Sequence, residues 1–339
     1  MNDILRDALG RMIVRIDNTE LLVGERFPLY ADPATAEWVT TRRGSWVAGF
    51  WVGQLWLRAS LAGERAHHSA AEEWTTRLKP GVSADTATRG LTFWYGAAAG
   101  SRLGLSAAGD AMARTAAAHL AETIDPGSGI LPWGTGFGDP PDPIVARVDG
   151  LPGAVPLLAW AGAGPVADRY LRAMLAIGRT SSGPAAALEL SAGRWRVRSE
   201  PPPGWSRGRA WLLLALADAG HWINAEFNSY ADELLNAQST PDPAAVPDAV
   251  LGAGTTPDTS AAAITAVALC KLGRLDQAVA LTETLIAEHL SGAPRPGRLL
   301  NGCYDLPRKL AVEHELIWGN YFLLLALAIL CGEIPATAV

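Results

Sequence analysis

Residues 148–178, "VDGLPGAVPLLAWAGAGPVADRYLRAMLAIG", contain the structural unit from which the rest of the chain is built. Alanine and leucine recur there at three- and four-residue spacing, which is the apolar period of an α-helix. The glycines of "AGAG" at 161–164 interrupt this pattern and mark a short connection. We therefore predict two helices, near 149–163 and 165–178, that form a helical hairpin.

The same rhythm of helix and short break continues through the chain. Runs of alternating Val, Ile and Thr are few, so strand signals are nearly absent. Glycine- and proline-rich breaks alternate regularly with the helices, and none resembles an interdomain linker, so residues 1–339 are predicted to form a single domain. The other predicted helices lie near 2–17, 47–62, 65–79, 87–104, 106–121, 206–219, 221–237, 258–273, 275–290 and 312–331.

The conspicuous residue clusters all lie at the starts of even-numbered helices. Six helical hairpins can form an open solenoid or close into a toroid, the (α/α)6 barrel, in which alternate helices form an inner ring. If the even-numbered helices are the inner ones and run parallel, the clusters meet at one rim. We therefore predict an all-α protein with the (α/α)6 barrel fold. The clusters are "GSWVAGFWVGQLWL" (44–57), "TRGLTFWYG" (88–96), Asp149, "GWSRGRAW" (204–211), "DTSAAAI" (258–264) and "EHELIWGNYF" (313–322).

The composition of the chain excludes several classes of protein. Among its 339 residues, 49% are apolar and 18% are charged, which is typical of a well-buried globular protein. A net charge of −6 argues against nucleic-acid binding, because phosphate groups need a basic surface. The longest apolar run, "YFLLLALAILCG" (321–332), is too short to span a bilayer, which takes about 20 residues.

The N-terminal segment and the cysteines bear on location and cofactors. "MNDILRDALGRMIVRID" (1–17) carries charges throughout and lacks the apolar region of a signal peptide. Cys270, Cys303 and Cys331 are odd in number and far apart, which favours neither a disulfide framework nor a zinc site. We expect a cytoplasmic protein with no metal or other cofactor; the residues do not indicate an oligomeric state.

Tryptophan is unusually frequent, with 13 Trp against 6 Phe and 6 Tyr. An indole ring offers a broad apolar face and one N–H donor, so tryptophan often lines a binding cleft; a tryptophan-rich core is the alternative explanation. The N-termini of the inner helices would meet at the predicted rim, where their N–H groups favour an anion. We therefore predict a cleft for an anionic ligand between indole rings.

Five segments resemble segments of the unsaturated glycuronyl hydrolases and occur in the same order along the chain. These enzymes include the unsaturated glucuronyl type (glycoside hydrolase family 88) and the unsaturated rhamnogalacturonyl type (family 105). The resemblance extends from Trp46 to about Leu330. The segments are "GSWVAGFWVGQLWL", "VDGLPGAVPLLAWAG", "WSRGRAW", "DTSAAAI" and "LIWGNYFLLLAL".

The resemblance implies a metal-free (α/α)6 barrel enzyme. Its substrate would be the uronic acid with a C4=C5 double bond that polysaccharide lyases leave at the non-reducing end. The implied reaction is hydration: an acid protonates C4, water adds to C5, and the resulting hemiketal opens and releases the aglycone. Asp149, which matches the aspartate of the family segment, would be the general acid and base.

Two segments depart from the pattern of the glucuronyl type. His-Asp-Leu-Gly-Phe is usual at the start of the fourth helix, whereas this chain has "RGLTF" (89–93), with Gly90 in place of the second aspartate. A His-Gln-Gly often precedes the Trp-Ser-Arg segment, whereas this chain has "RWRVRSEPPPG" (194–204). The first departure resembles the rhamnogalacturonyl type, and both favour an altered substrate.

Asp149 has two explanations from the residues alone. It precedes Gly150, Leu151 and Pro152 and no basic residue follows it closely, so it could be the N-cap of its helix. A proton donor that works near neutral pH needs a raised pKa, which apolar surroundings can supply by penalising the ionised form.

The remaining candidates would bind the substrate. Arg207 could hold a carboxylate through two parallel hydrogen bonds, or form a salt bridge with Asp258. Asp258 could be an N-cap, His314 a capping or solvated residue, and Arg89 a partner of Asp85. Trp51, Trp56 and Trp160 are expected in the core. The predicted substrate-binding residues are Trp46, Phe50, Arg89, Trp133, Arg207, Trp211, Asp258, His314 and Trp318.

Three functions are compatible with these residues. The first is acid-catalysed hydration of an unsaturated uronic acid or related enol ether. The second is a diverged enzyme that protonates, hydrates or rearranges a double bond in a natural-product intermediate. The third is a sugar-binding protein without catalysis, which the presence of Asp149 disfavours. All three have a small anionic sugar or glycosylated compound as partner, and no nucleic acid or membrane.

Overall fold

Twelve helices arranged in pairs account for most of the computed structural model, which describes residues 3–138, 140, 143–180, 183–237, 242, 244–252, 254 and 256–339. The fourth helix, α4, is continuous but changes its winding, from Arg89–Thr92 through a π-helical turn at Phe93–Ala98 to Ala99–Arg102. The others are α1 Asp3–Val23, α2 Ala48–Ala62, α3 Arg65–Thr76, α5 Ala107–Thr123, α6 Leu151–Trp160, α7 Gly164–Gly178, α8 Ser206–Trp222, α9 Phe227–Asn236, α10 Thr259–Lys271, α11 Leu275–His289 and α12 Ile317–Leu330.

The even-numbered helices form a closed inner ring. Each packs on the next, from α2 through α4, α6, α8 and α10 to α12, and α12 packs back on α2. At this closure Gln54 Nε2 donates a hydrogen bond of 3.0 Å to the carbonyl oxygen of Ile317. The inner helices are buried around most of their circumference, whereas the odd-numbered helices bury one side and lie outside. The chain therefore has the predicted (α/α)6 barrel fold.

The predicted helix positions are largely confirmed, but three helix ends differ by more than one turn. The first helix was predicted over 2–17, but α1 continues to Val23. The ninth helix was predicted over 221–237, but α8 continues to Trp222 and α9 begins at Phe227. The twelfth was predicted from residue 312, but α12 begins at Ile317 because the preceding residues pair with other segments. His314 bridges Gly302, and the strand that follows it pairs with a strand near the N-terminus.

The expectation of almost no strands is wrong for the loops at the rim. Eight short strands form three small antiparallel sheets, in the orders β2-β1-β8, β3-β6-β7 and β4-β5, within the described residues. Strands of two to five residues are too short to give a clear alternating pattern, so sequence periodicity did not reveal them. They are β1 Phe27–Ala31, β2 Trp38–Thr41, β3 Ile144–Arg147, β4 Arg179–Thr180, β5 Gly183–Pro184, β6 Ala187–Ser191, β7 Arg194–Val197 and β8 Glu315–Leu316.

Aromatic side chains fill the centre of the ring. Phe50 is fully buried and stacks on Tyr95 and Trp211, with ring centroids 5.3 and 6.2 Å apart. Tyr321 and Phe322 of α12 pack on the same ring of Phe50 at 5.5 Å each. This packing fills the barrel below the rim.

Candidate active site

A cavity of about 350 Å³ opens at the rim where the inner helices begin. The segments before α2, α6, α8 and α12 and the first turn of α4 all contribute to it, so the predicted convergence of the clusters is confirmed for the residues that line it. Among the described residues, its walls combine indole rings and a phenol ring with three arginines and three carboxylates. The lining includes Ser45, Trp46, Thr88, Leu91, Trp133, Phe137, Arg147, Asp149, Glu200, Pro201, Pro202, Trp205, Arg207, Trp211, Cys303, Tyr304, Asp305, Leu306, Pro307, Arg308 and Leu310.

Asp149 pairs with an arginine instead of capping a helix. It lies in the single 3-10 turn Val148–Gly150 that joins β3 to α6, and among the described residues no side chain caps the start of α6. Its Oδ1 accepts from Arg147 Nε at 2.9 Å and its Oδ2 from Arg147 Nη2 at 2.7 Å. The N-cap explanation of Asp149 is therefore wrong, and a bidentate ion pair replaces the apolar surroundings that the sequence suggested.

The partner of Asp149 precedes it in the chain. Arg147 is the last residue of β3, in extended conformation (φ −132°, ψ 140°), and the chain turns immediately after it. The turn brings the carboxylate of the second following residue alongside the guanidinium. Trp133 lies against Arg147, with the guanidinium carbon 4.4 Å from the ring centroid, which is a cation–π contact. The side chains of Arg147 and Asp149 are 24% and 14% exposed, so both can be reached from the cavity.

Tyr170 of α7 lies behind Asp149. Burial, and to a lesser extent the negative charge of Asp149, raise the pKa of this phenol above its usual value. Tyr170 is therefore neutral at neutral pH, and it contributes no charge to the site.

Arg207 forms an ion pair with Asp258, which is one of the two roles that the sequence left open. Its Nη1 donates to Asp258 Oδ2 at 2.7 Å and to the carbonyl oxygen of Cys303, and its Nη2 donates to the carbonyl oxygen of Tyr304 at 2.7 Å. Its side chain is only 4% exposed. The guanidinium thus holds the loop before α12 against the start of α8.

Asp258 is the N-cap of α10, as predicted. Its Oδ1 accepts from the backbone N–H of Ser260 at 3.1 Å and from that of Cys303 at 3.3 Å. The carboxylate is completely buried and lies beneath the cavity. Burial, reinforced by the charge of Asp258, raises the pKa of the Cys303 thiol to about 12, so this cavity-lining thiol is protonated at neutral pH.

Aromatic side chains form another part of the cavity wall. Trp46 Nε1 donates a hydrogen bond of 3.0 Å to the Tyr304 hydroxyl. Trp318 packs behind both, with ring centroids 4.7 Å from Trp46 and 5.1 Å from Tyr304. Trp46 is half-buried and therefore offers ring surface to a ligand.

Four of the predicted substrate-binding residues line the cavity and five lie outside its lining among the described residues. Trp46, Trp133, Arg207 and Trp211 are in the lining. Phe50, Asp258 and Trp318 are fully buried beneath it, where they pack or form the hydrogen bonds described above. The other two, Arg89 and His314, lie farther from it.

Arg89 and His314 bind to their own loops. Arg89 is 3% exposed, and its Nε donates to the carbonyl oxygen of Ala84 at 2.9 Å; burial lowers the pKa of its guanidinium. Asp85, the partner expected for Arg89, accepts hydrogen bonds from Thr135 instead. His314 Nδ1 lies 2.7 Å from the carbonyl oxygen of Val312, and its ring packs on Tyr30.

Several cavity residues were missed from the sequence. The only sequence signal for Arg147 is that it stands two residues before Asp149. Tyr304, Asp305 and Arg308 belong to an irregular loop in which periodicity carries no signal. Arg308 donates to Asp305 and to Glu200 of another loop, and these ion pairs are exposed.

The comparisons with known proteins agree with this architecture. An unsaturated glucuronyl hydrolase from Bacillus sp. GL1, responsible for the degradation of glycosaminoglycan, superposes with a TM-score of 0.84 at 21% identity, covering 96% of both chains. One specific for heparin superposes with a TM-score of 0.86 at 18% identity, covering 99% of this chain and 100% of the other. The chain has the fold of the unsaturated glucuronyl hydrolases.

A third glucuronyl hydrolase of this fold, from Streptococcus agalactiae, superposes with a TM-score of 0.76 at 17% identity, covering 96% of this chain and 91% of the other. No family model and no curated protein match the sequence. In the described part of the chain, no helix is long and apolar enough to cross a membrane. No group of three or more His, Cys, Asp or Glu residues there could hold a metal ion.

Proposed function

We propose that this protein is a glycoside hydrolase of the unsaturated glycuronyl type, which hydrates the C4=C5 double bond of an unsaturated uronic acid and so releases the aglycone. The observation that carries the proposal is the position of Asp149: a partly exposed carboxylate at the start of an inner helix, in the rim cavity of a glucuronyl hydrolase fold. A variant of the Streptococcus agalactiae enzyme has been solved with the unsaturated disaccharide dGlcA-GalNAc6S, which gives the substrate class to test first.

In the proposed reaction Asp149 transfers its proton to C4. Positive charge then develops at C5 and the ring oxygen, and a water molecule adds to C5 while its proton returns to the Asp149 carboxylate. The C5 hemiketal opens and the aglycone leaves as an alcohol, so one water is consumed and the acid is regenerated. Trp46 and Trp133 present ring faces on which the sugar can stack.

A second candidate is a diverged enzyme that acts on the double bond of a natural-product intermediate. Gly90 favours it, because the second aspartate of the glucuronyl type is absent there. A Cβ atom on Gly90 would collide with the backbone of Gly153 and Ala154, so α4 and α6 leave no space for such a side chain. This proposal retains Asp149 as proton donor and changes the substrate.

The test is turnover of unsaturated glucuronyl disaccharides, followed by the loss of the ultraviolet absorbance of the conjugated double bond. Asp149→Asn removes the transferable proton while it preserves the shape of the side chain, so we expect turnover to fall by about a hundred- to ten-thousandfold. The thermal midpoint should change little.

Asp110→Asn is the matched control, because it changes a carboxylate on the outer helix α5. It should retain wild-type turnover. An Asp149→Asn enzyme with wild-type turnover would exclude Asp149 as the acid. If the wild-type enzyme turns over enol ethers that lack the uronic carboxylate but turns over no unsaturated uronide, the second candidate is favoured.

A further inference from the structure

The three arginines that line the cavity have different surroundings. Arg207 is 4% exposed, and its guanidinium is occupied by Asp258 and by carbonyl groups of the loop before α12. Arg308 is 68% exposed at the mouth, where solvent screens its charge. Arg147 is intermediate: it is fixed against the indole of Trp133, and 24% of its side chain is exposed to the cavity.

The Arg147–Asp149 pair conflicts with the proposed role of Asp149. A general acid must carry a proton on one carboxylate oxygen before it can donate it. Both oxygens of Asp149 accept hydrogen bonds from the fork of Arg147, at 2.9 and 2.7 Å. An acid proton on either oxygen would lie against the N–H donors of the guanidinium, because both oxygens already accept hydrogen bonds from them. A second anion that binds the guanidinium would free both oxygens of Asp149.

We propose that Arg147 is the receptor for the carboxylate of the substrate, and that it exchanges this carboxylate for that of Asp149 when the substrate binds. The inference rests on the proposed function and deepens it. A uronic carboxylate has two acceptor oxygens in the same planar arrangement as the Asp149 carboxylate. It can therefore accept the hydrogen bonds of Arg147 Nε and Nη2 in place of Asp149. Asp149, once released, takes a proton from solvent and donates it to C4.

This exchange makes the carboxylate of the substrate a requirement for the chemistry as well as for binding. A neutral analogue, such as the methyl ester of the same unsaturated uronide, cannot compete for the guanidinium, so it leaves Asp149 paired. The wild type should therefore discriminate between acid and ester in kcat as well as in KM. Arg147 supplies both parts of this discrimination, because one side chain holds the anion and restrains the acid.

The test compares Arg147→Met with the wild type on an unsaturated glucuronyl disaccharide and on its methyl ester. We expect the variant to lose about ten- to a hundredfold in kcat/KM on the acid, the scale of a hydrogen bond to a charged group. Turnover of the ester should stay the same or rise, because Asp149 is no longer held. A merely structural role of Arg147 would lower both rates together and would overturn the proposal.

Two further variants control for charge and geometry. Arg194→Met removes one positive charge from exposed β7 of the same small sheet and should leave the acid-to-ester ratio at its wild-type value. Arg147→Lys keeps the positive charge but loses the two parallel N–H donors, so it should retain only part of the wild-type acid-to-ester ratio of kcat/KM. If Arg147→Met keeps the wild-type ratio of kcat/KM for acid and ester, the assignment of Arg147 is contradicted. The same holds if Arg194→Met changes this ratio as much as Arg147→Met does.

Binding measurements separate this inference from the proposed function. In Asp149→Asn the guanidinium no longer faces the Asp149 carboxylate, so calorimetry should give a tighter affinity for methyl glucuronide than in the wild type, and Arg147→Met/Asp149→Asn should lose that gain. If the wild type turns over no unsaturated uronide, the proposed function fails, and these affinities decide about Arg147 alone. Equal affinities in the single and double variants, or no binding in any of them, would exclude Arg147 as a carboxylate receptor.

Discussion

At the scale of single residues, Arg207 shows how one side chain connects several elements of the site. The pair of Arg207 and Asp258 connects the first turn of α8 with the cap of α10, and the guanidinium also holds two backbone carbonyl groups of the loop before α12. From the sequence alone, Arg207 could form a salt bridge with Asp258 or hold a carboxylate of the ligand. The hydrogen bonds identify the salt bridge, and they keep Tyr304 beside Trp46.

Arg207→Lys should therefore weaken the fold. A lysine keeps the charge but cannot reach Asp258 and both carbonyl oxygens from one planar group, so at least one buried acceptor is left unsatisfied at a cost of about 1–3 kcal/mol. Denaturant unfolding measures this loss. The control is Arg198→Lys, since Arg198 is 40% exposed and 3.6 Å from Glu189; it should stay within about 0.5 kcal/mol of wild type. Equal effects of the two substitutions would contradict the structural role of Arg207.

At the scale of the helices, close backbone contact fixes how α4 and α6 cross. Gly90 and Gly153 face each other, and a Cβ atom on either would collide with the backbone of the other helix. The sequence marked Gly90 as the position where an aspartate is missing. The structure adds a physical reason why an aspartate is not tolerated there, because the two helix backbones lie too close to admit a side chain.

Gly90→Ala should destabilise the protein although alanine is the better helix former. The two backbones must separate to admit a methyl group, and overpacking of this kind costs about 1–3 kcal/mol. Gly10→Ala is the matched control, because Gly10 is a helical glycine of α1 with nothing within 4 Å of its added Cβ atom. It should stabilise by up to about 1 kcal/mol. Thermal midpoints that rise for both substitutions would exclude a tight α4–α6 contact.

At the scale of the whole molecule, a buried charge cluster connects the first helix with the last. Glu315 of β8 is completely buried and accepts from Arg15 of α1 at 2.8 Å, from Arg298 at 2.9 Å and from Asn320 of α12 at 2.8 Å. The partners are up to 300 residues apart in sequence. The cluster therefore fixes α1 and the loop of Arg298 against the start of α12, beside the closure of the inner ring.

Glu315→Gln should lower the free energy of unfolding by about 3–5 kcal/mol, because it leaves two buried guanidinium groups without a compensating anion. Glu333→Gln is the control; its ion pair with Arg6 is exposed and 3.5 Å long, so the change should stay within about 0.5 kcal/mol. Calorimetry should also give one cooperative transition for the wild type, since the ring is closed. A small effect of Glu315→Gln would mean that the cluster does not hold the chain ends.

The number of helices, their pairing and the rim that carries the site could be predicted from the sequence. Apolar periodicity and glycine- or proline-rich breaks are local signals, and twelve helices with chemical clusters at alternate starts are compatible with few architectures. The cap of Asp258 was predicted from its sequence neighbours, whereas the resemblance to a family segment marked Asp149 as the candidate acid. These features depend on residues within one or two turns of each other.

Only the tertiary structure decided what these side chains bind. Arg207 meets the carbonyl oxygen of Tyr304 across 97 positions of sequence, and Trp46 meets the Tyr304 hydroxyl across 258. Arg147 and Asp149 are only two residues apart, yet their ion pair depends on the turn that follows β3. The strand β3 is in turn held by β6, about forty residues later in the chain. Periodicity reports which face of a helix is buried, but hydrogen bonds between loops depend on where the closed ring brings those loops together.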